Sequence, residues 1–174
     1  MRARNTRIGP STVREWSRTL ARGASILDLG CGHGVVSQPL AEEGFALWGV
    51  DASAKLVAAY RERFPDAHVE CAAAEESDFF GRTFDGVVAW GLLFLLPGDV
   101  QRRVIGKVAR ALNPGGRFLF TADREALTWE DALTGRKSVS LGAQEYKRIL
   151  LAEGLSLAGE ARDEGDNHYY FSLK

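Results

Sequence analysis

A strand, a glycine turn and a helix follow one another near residue 30, and this succession constrains the fold more than any other part of the sequence. An apolar run at 26–29 leads into glycines at alternate positions, Gly30, Gly32 and Gly34, and a helix-like segment follows. Such a run is typical of a strand buried on both faces of a parallel sheet. The glycines let backbone N–H groups and a helix N-terminus approach a ligand, because no Cβ atom intervenes. The segment therefore predicts an α/β fold with a ligand site at the turn.

The residues around the turn indicate which ligand it binds. Val35 occupies the position of the third glycine in the dinucleotide pattern G-x-G-x-x-G, which weighs against NAD(P). Asp28 precedes the first glycine by two residues and can meet a positively charged group. Asp51 ends the next apolar run, where an acid can bind both hydroxyls of a ribose. S-adenosylmethionine combines a ribose and adenine with a cationic amino-acid tail.

Four segments resemble the successive motifs of the class I S-adenosylmethionine-dependent methyltransferases. They lie at residues 27–34, 50–53, 84–88 and 112–116, in the order of the family and at about its spacings. A single glycine motif is weak evidence, whereas four in register indicate the family. The alternative is an ordinary nucleotide-binding or vestigial Rossmann-like domain.

The resemblance implies a particular fold and division of the chain. The expected fold is a Rossmann-like α/β sheet of seven strands in the order 3-2-1-4-5-7-6, with the last strand antiparallel and helices on both faces. Residues 1–174 are expected to form a single domain. Within it, residues 1–23 would form a helical cap, and the irregular stretch 122–142 would form a lid over the substrate.

The resemblance also implies the residues that bind the cofactor. The methionine end would meet Asp28 and the backbone of Gly30, Cys31 and Gly32, while the ribose would meet Asp51 and the adenine Ala52. The acid that often bonds the adenine amino group falls at Ala73 here, so the sequence departs from the family. Either Glu75 or the backbone amide of Ala74 is expected to replace it.

The apolar segment 90–96 follows the fourth predicted strand, whose tip faces the reacting methyl group in this family. It matches neither the Asn/Asp-Pro-Pro-aromatic motif of nucleic-acid amino-methylases nor the acidic metal ligand of catechol-type enzymes, so no metal is expected. Phe94 stands where many small-molecule enzymes have a histidine. The segment is either a substrate wall or a buried helix entrance, and Trp90 could make a cation–π contact with the sulfonium.

The remaining candidates are placed near the substrate by the expected topology. Trp129 in the lid is one, and Trp16 either covers the substrate or packs in the core. The turn before the last strand would lie beside the lid, so His168 and Tyr169 are the acid–base candidates and Glu164 a substrate contact. A structural role for His168 remains open.

Composition narrows the function further. The sequence is 45% apolar and 26% charged, has no apolar run of bilayer length, and carries a net charge of −1. A nucleic-acid substrate is therefore disfavoured, because such proteins present basic surfaces. The basic residues 1–7 resemble a solvated tail rather than a secretory signal, and the cytoplasm is the default location. Two cysteines make neither a disulfide framework nor a metal cluster.

We therefore expect methyl transfer to an O, N or S atom of a small molecule, with no membrane partner and with the oligomeric state open. Two other functions remain: a protein or tRNA methyltransferase acting with a partner, and a non-catalytic module that binds S-adenosylmethionine.

Overall fold

The computed structural model describes residues 8–130, 132 and 135–174, so the predicted basic tail at 1–7 lies outside the described residues. The helices are α1 (Ile8–Ser17), α2 (Ser37–Glu42), α3 (Ala54–Arg63), α4 (Gly98–Ala111) and α5 (Ala143–Ala152). The strands are β1 (Ser25–Leu29), β2 (Ala46–Asp51), β3 (His68–Cys71), β4 (Phe84–Ala89), β5 (Leu112–Thr121), β6 (Ala126–Glu130), β7 (Lys137–Leu141), β8 (Ser156–Arg162) and β9 (His168–Leu173).

Seven of these strands form one sheet in the order β3-β2-β1-β4-β5-β9-β8, which confirms the predicted topology. The strands predicted as sixth and seventh are β8 and β9. β1 lies between the parallel strands β2 and β4, and β9 runs antiparallel between β5 and β8. The start of β9 therefore lies at the same edge of the sheet as the carboxyl ends of β1, β2, β4 and β5.

The core lies on both faces of the sheet because successive side chains of each strand point to opposite sides. In β5, Phe118 and Phe120 pack with α4 and α5 on one face, whereas Leu119 packs with α1 on the other. α4 presents Val104, Ile105 and Val108 to the first face at helical spacing. The α1 side of the sheet and the α4 side are therefore separate environments.

The stretch 122–142 is more regular than the sequence predicts. It contains the antiparallel hairpin of β6 and β7, in which Trp129 stands opposite Ser138. β6 alternates exposed and half-buried residues over five positions only, and charged residues flank it, so its strand pattern is easily missed. The expectation of an irregular segment was wrong for this part of the chain.

Buried hydrogen bonds fix the hairpin to the domain. The Gln101 side chain of α4 donates to Leu96 O at 2.9 Å and to Val139 O at 2.8 Å. Its Oε1 accepts from the Tyr146 hydroxyl at 2.7 Å. At the hairpin's base the amide of Ala143 donates to the carbonyl oxygen of Arg124 at 2.8 Å. The middle of β7 is thus tied to α4, and the base of the hairpin is tied to α5.

Candidate functional site

The glycine turn at the carboxyl end of β1 is open on one side and closely packed on the other. Gly30, Gly32 and Gly34 have φ values of +70°, +55° and +93°, a region that favours glycine. A Cβ atom at Gly34 would lie 2.1 Å from the Phe64 ring, so a side chain is excluded there. A Cβ atom at Gly32 would have no neighbour within 4 Å. The open space at Gly32 is where a ligand can reach the backbone.

Asp51 is fixed at the edge of this space by two backbone N–H groups. Its Oδ2 accepts from Gly32 N at 2.9 Å, and its Oδ1 accepts from Ser53 N at 2.8 Å. Ser53 in turn caps α3 by accepting from Leu56 N. The carboxylate is half-buried and held in one orientation, beside the part of the turn that a ligand can approach.

Asp28 lies beneath the turn with only 1% of its surface exposed. Its Oδ2 accepts from the Ser37 hydroxyl at 2.6 Å, and its Oδ1 is buried without a partner in the described part of the chain. Burial raises the pKa of Asp28 to about 7, with a further increase from the nearby Asp51 charge and a decrease from Ser37. Asp28 is therefore an acceptor that lacks one donor.

Cys31 is committed to the packing of the turn, since its amide donates to Val50 O at 3.1 Å and its carbonyl oxygen accepts from Gly34 N at 2.9 Å. The side chain is 4% exposed, and a Cβ atom at Gly49 would lie 2.9 Å from its sulfur, so the thiol packs against β2. Burial raises the pKa of this thiol. Ala52, the candidate adenine neighbour, is exposed beside Asp51.

The segment after β3 contains the two candidates for the adenine amino group. Ala74 is buried, and Oε2 of Glu75 is a buried acceptor with no partner among the residues described. Lys107 of α4 fixes this segment, since its Nζ donates to the carbonyl oxygens of Ala74, Glu75 and Ser77 at 3.0, 2.9 and 2.6 Å. Lys107 was not predicted, because nothing in the sequence links it to residues that lie 30 to 33 positions away.

Trp90 directly follows β4 and packs on the α1 side of the sheet. The neighbouring Leu92 contacts Gly30, where a Cβ atom would lie 3.1 Å from its side chain. On the other side, a Cβ atom at Gly9 of α1 would lie 2.6 Å from the Trp90 ring. The Gly91 amide donates to Thr121 Oγ1 at 2.8 Å, which ties this segment to β5. The indole is thus enclosed by α1 on one side and partly exposed on another.

Tyr169 connects Trp90 with Asp163, a residue that the sequence did not single out. The indole N–H of Trp90 donates to the Tyr169 hydroxyl at 3.0 Å, and that hydroxyl donates to Asp163 Oδ2 at 2.7 Å. Tyr169 is fully buried, and burial together with the bond to Asp163 raises its pKa. Its proton is therefore directed at the Asp163 carboxylate.

His168 does not share this environment, because adjacent residues of β9 point to opposite faces of the sheet. Its Nε2 lies 3.0 Å from Glu160 Oε1, and its ring packs edge-on against Tyr170. Glu160 also pairs with Lys147 at 3.1 Å. The two acid–base candidates are neighbours in sequence that the structure does not bring together.

Two of the four substrate candidates meet in space. The rings of Phe94 and Trp129 lie 5.7 Å apart, so the hairpin contacts the segment that follows β4. Trp16 is 6% exposed and packs on Gly86 in the core on the α1 side, which accounts for it without a substrate. Glu164 is exposed in the turn before β9, where Asp163 rather than Glu164 hydrogen-bonds the buried Tyr169.

Two features that the described residues lack bear on the type of site. No group of three or more His, Cys, Asp or Glu side chains is arranged to hold a metal ion. No helix in the same ranges is long and apolar enough to cross a membrane.

The family is established by comparison with known proteins. A family model for the methyltransferase domain matches residues 26–116, just over half of the chain. The chain therefore belongs to this family, and the motifs that resemble class I S-adenosylmethionine-dependent methyltransferases are confirmed as a family assignment. The matched segment runs from β1 to the start of β5 and so includes the glycine turn, Asp51 and Trp90.

Individual relatives resemble the chain at modest sequence identity. The chain is 28% identical over 138 residues to the ubiquinone biosynthesis O-methyltransferase of Erwinia tasmaniensis, covering 74% of this chain and 56% of that protein. The chain thus spans about half the length of the curated relatives it matches.

Solved structures share the fold at low identity. The 1,6-didemethyltoxoflavin-N1-methyltransferase of Burkholderia thailandensis has a TM-score of 0.80 at 20% identity, covering 95% of this chain and 78% of that one. The magnesium protoporphyrin IX methyltransferase of Synechocystis has a TM-score of 0.79 at 19% identity, covering 94% and 80%. At these identities the likeness establishes the fold alone.

Proposed function

We propose that the chain is an S-adenosylmethionine-dependent methyltransferase that acts on a small molecule. The observation that carries the proposal is the Asp51 carboxylate, which the amides of Gly32 and Ser53 fix beside the open side of the turn. Each carboxylate oxygen retains lone-pair capacity, so the pair can accept from both hydroxyls of a ribose.

The acceptors around the turn match the donors of the cofactor. Asp51 would bind the ribose, Asp28 the ammonium group and Glu75 the adenine amino group. Oδ1 of Asp28 and Oε2 of Glu75 are buried acceptors without partners in the described ranges, a condition that costs ~1–3 kcal/mol per group until a donor arrives. The backbone of residues 30–32 and Ala52 complete the cofactor set, and Ala74 remains the alternative to Glu75. The residues present therefore fit S-adenosylmethionine.

The chain's own contribution to the reaction is position and the exclusion of water. When bound, S-adenosylmethionine supplies an activated methyl group, which passes in line to an O, N or S nucleophile while the carbon–sulfur bond breaks. Reaction needs the nucleophile and the methyl carbon held ~3–3.5 Å apart. α1 over Trp90, and Trp129 against Phe94, would shield that space. We propose no metal ion for this step, because the sulfonium already activates the methyl group.

The acceptor is proposed to be a planar, largely apolar small molecule. The segment 92–96 is apolar, and its Phe94 forms an aromatic pair with Trp129 of the hairpin. Flat aromatic surfaces of this kind favour offset stacking with a planar ring. The hairpin of β6 and β7 would then act as the lid, anchored at the middle of β7 by Gln101. The names of the relatives, a ubiquinone biosynthesis O-methyltransferase and a didemethyltoxoflavin methyltransferase, support a small acceptor.

A general base, where the acceptor needs one, is proposed at His168 rather than Tyr169. Tyr169 already donates its proton to Asp163, and its raised pKa opposes ionisation. His168 lies at the ligand-facing edge of the sheet, and Glu160 can orient its imidazole, as carboxylates orient catalytic histidines.

Calorimetric titration with S-adenosylmethionine, S-adenosylhomocysteine and NAD⁺ tests the proposal. The wild type should bind both sulfur ligands and not NAD⁺. In Asp51→Asn an amide N–H₂ replaces one acceptor, and affinity should fall by ~10-fold or more, as for a lost bond to a charged group. Asp66→Asn makes the same chemical change at an exposed position and should bind as the wild type does.

Two results would contradict the proposal: no binding of either sulfur ligand, or equal binding of NAD⁺. If both ligands bind, a screen for methyl transfer to small phenols and nitrogen heterocycles distinguishes an enzyme from a non-catalytic binding module.

A further inference from the structure

The turn between β8 and β9 holds one carboxylate in a fixed orientation, although three acidic residues lie close together there. Asp163 Oδ1 accepts from the amides of Gly165 and Asn167, at 2.9 and 3.0 Å. The Asn167 side chain donates to both carboxylate oxygens, at 3.1 and 3.0 Å. These bonds leave Oδ2 directed at the Tyr169 hydroxyl. Asp166 and Glu164, by contrast, are exposed.

The direction of every hydrogen bond in this chain of contacts is determined by chemistry. An ionised carboxylate only accepts and an indole N–H only donates, so the Tyr169 hydroxyl must donate to Asp163 and accept from Trp90. Thr12 of α1 also hydrogen-bonds this hydroxyl and lowers the pKa of Tyr169, as a donor does. The tyrosine oxygen is thus saturated, and Asp163 is the group that orients its proton.

We propose that Asp163 is a positioning residue that acts through Tyr169 to hold the Trp90 indole beside the sulfonium of S-adenosylmethionine, so that the site prefers the cationic cofactor over its neutral product. The inference rests on the proposed function, and it assigns a role to a residue outside the matched family segment at 26–116. A pinned indole keeps its ring face in one place, which a cation–π contact requires.

The position of Trp90 supports this role. The residue comes directly after β4, and its segment packs on Gly30 of the cofactor turn through Leu92. Gly9 of α1 closes one side of the ring, while the residue as a whole is partly exposed and stands at the carboxyl edge of the sheet. Without its bond to Tyr169, the indole could rotate about its side-chain torsions away from this edge.

The test compares Asp163→Asn and Tyr169→Phe with Asp166→Asn as the matched control. In Asp163→Asn the amide N–H₂ would face a tyrosine oxygen that already accepts from two donors, so the hydrogen-bond chain should break. Asp166 has a φ of +65°, which asparagine tolerates, and its ion pair with Arg162 is exposed, so the control should keep the fold.

The first readout is the ratio of the dissociation constants for S-adenosylhomocysteine and S-adenosylmethionine, measured by calorimetry. A lost cation–π contact should reduce the preference for S-adenosylmethionine by about 2- to 30-fold in both variants and leave it unchanged in the control. If Asp163 and Tyr169 had only a structural role, the variants would bind both ligands more weakly by the same factor. An unchanged ratio in folded Asp163→Asn and Tyr169→Phe would overturn the inference.

The second readout needs no ligand and so separates this inference from the proposed function. The protein has four tryptophans, each with one indole N–H resonance in a ¹⁵N–¹H spectrum. The resonance that disappears in Trp90→Phe is that of Trp90. Its N–H resonance should shift in Tyr169→Phe and in Asp163→Asn but not in Asp166→Asn. If the resonance shifts in both variants but the wild type binds neither sulfur ligand, the proposed function is refuted while the hydrogen-bond chain is retained. An unshifted resonance would refute the positioning role itself.

Discussion

Replacement of Asp28 by asparagine should make the protein more stable at pH 8 while impairing its site. Burial raises the pKa of Asp28 from an ordinary 3.8 to about 7. That difference corresponds to about 4 kcal/mol, at ~1.36 kcal/mol per pH unit, and the side chain is too deeply buried for solvent screening to reduce it much. The ionised carboxylate therefore opposes folding, and an amide of the same shape removes that opposition.

The direction in which stability changes with pH follows from proton linkage. Between about pH 4 and pH 7 the folded state binds the Asp28 proton and the unfolded state does not, so stability falls as the pH rises through this window. The free energy of unfolding of Asp28→Asn, relative to the wild type, should thus increase by about 4 kcal/mol from pH 4 to pH 8. Part of this gain is offset at every pH, because the new N–H₂ group replaces an oxygen without a partner and costs ~1–3 kcal/mol.

Urea unfolding at half-unit steps from pH 4 to pH 8 measures both the pH-dependent gain in the free energy of unfolding and the offset that is present at every pH. Asp66→Asn serves as the exposed control. Stabilisation by S-adenosylmethionine should be weaker in Asp28→Asn than in the wild type, because the ammonium group loses its carboxylate. Parallel stability profiles for Asp28→Asn and the wild type across this window would refute the assignment of a buried, proton-binding Asp28.

Three further substitutions test contacts around the site. Lys107→Met should lower the free energy of unfolding by ~2–3 kcal/mol in urea titration, because three carbonyl oxygens lose a charged donor; a loss below 0.5 kcal/mol would show that water replaces it. Gly9→Ala should lower the melting temperature, because the new Cβ atom would overlap the Trp90 ring, although alanine is the better helix former by ~1 kcal/mol. A higher melting temperature would mean that the indole moves aside. Gln101→Leu leaves the Tyr146 hydroxyl without its acceptor and should speed hydrogen exchange at the amides of β7, with unchanged exchange in β1 as the internal control. Unchanged exchange in β7 would mean that the hairpin does not depend on this side chain.

Most of the fold could be predicted from the sequence, because the patterns that indicate its strands and turns are local and recur along the chain. The apolar run before Gly30 and the acid that ends β2 each follow from strand and turn chemistry, and the family resemblance supplied the strand order. The hairpin of β6 and β7 was missed, because five alternating residues flanked by charges carry little periodic signal. Its stability comes instead from tertiary bonds such as those of Gln101.

The site was accessible only in part, because several of its contacts depend on which face of a strand a side chain occupies. His168 and Tyr169 are adjacent in sequence, yet the pleat of β9 separates them. Asp163 was overlooked beside Glu164 and Asp166, since composition does not distinguish three acids in one turn. Only the turn geometry, in which two backbone amides select Asp163, shows which of them acts on Tyr169.

The closed base of the hairpin has a consequence for how such a protein changes over evolution. The chain leaves the domain after β5 and returns before α5 at nearly the same point, where the amide of Ala143 bonds the carbonyl oxygen of Arg124. A segment whose ends already meet can be lengthened or exchanged with only a slow increase in closure entropy. The hairpin is therefore a segment that can be exchanged as a unit. Its replacement by the corresponding segment of another family member could alter acceptor preference while Asp51 and the glycine turn stay unchanged.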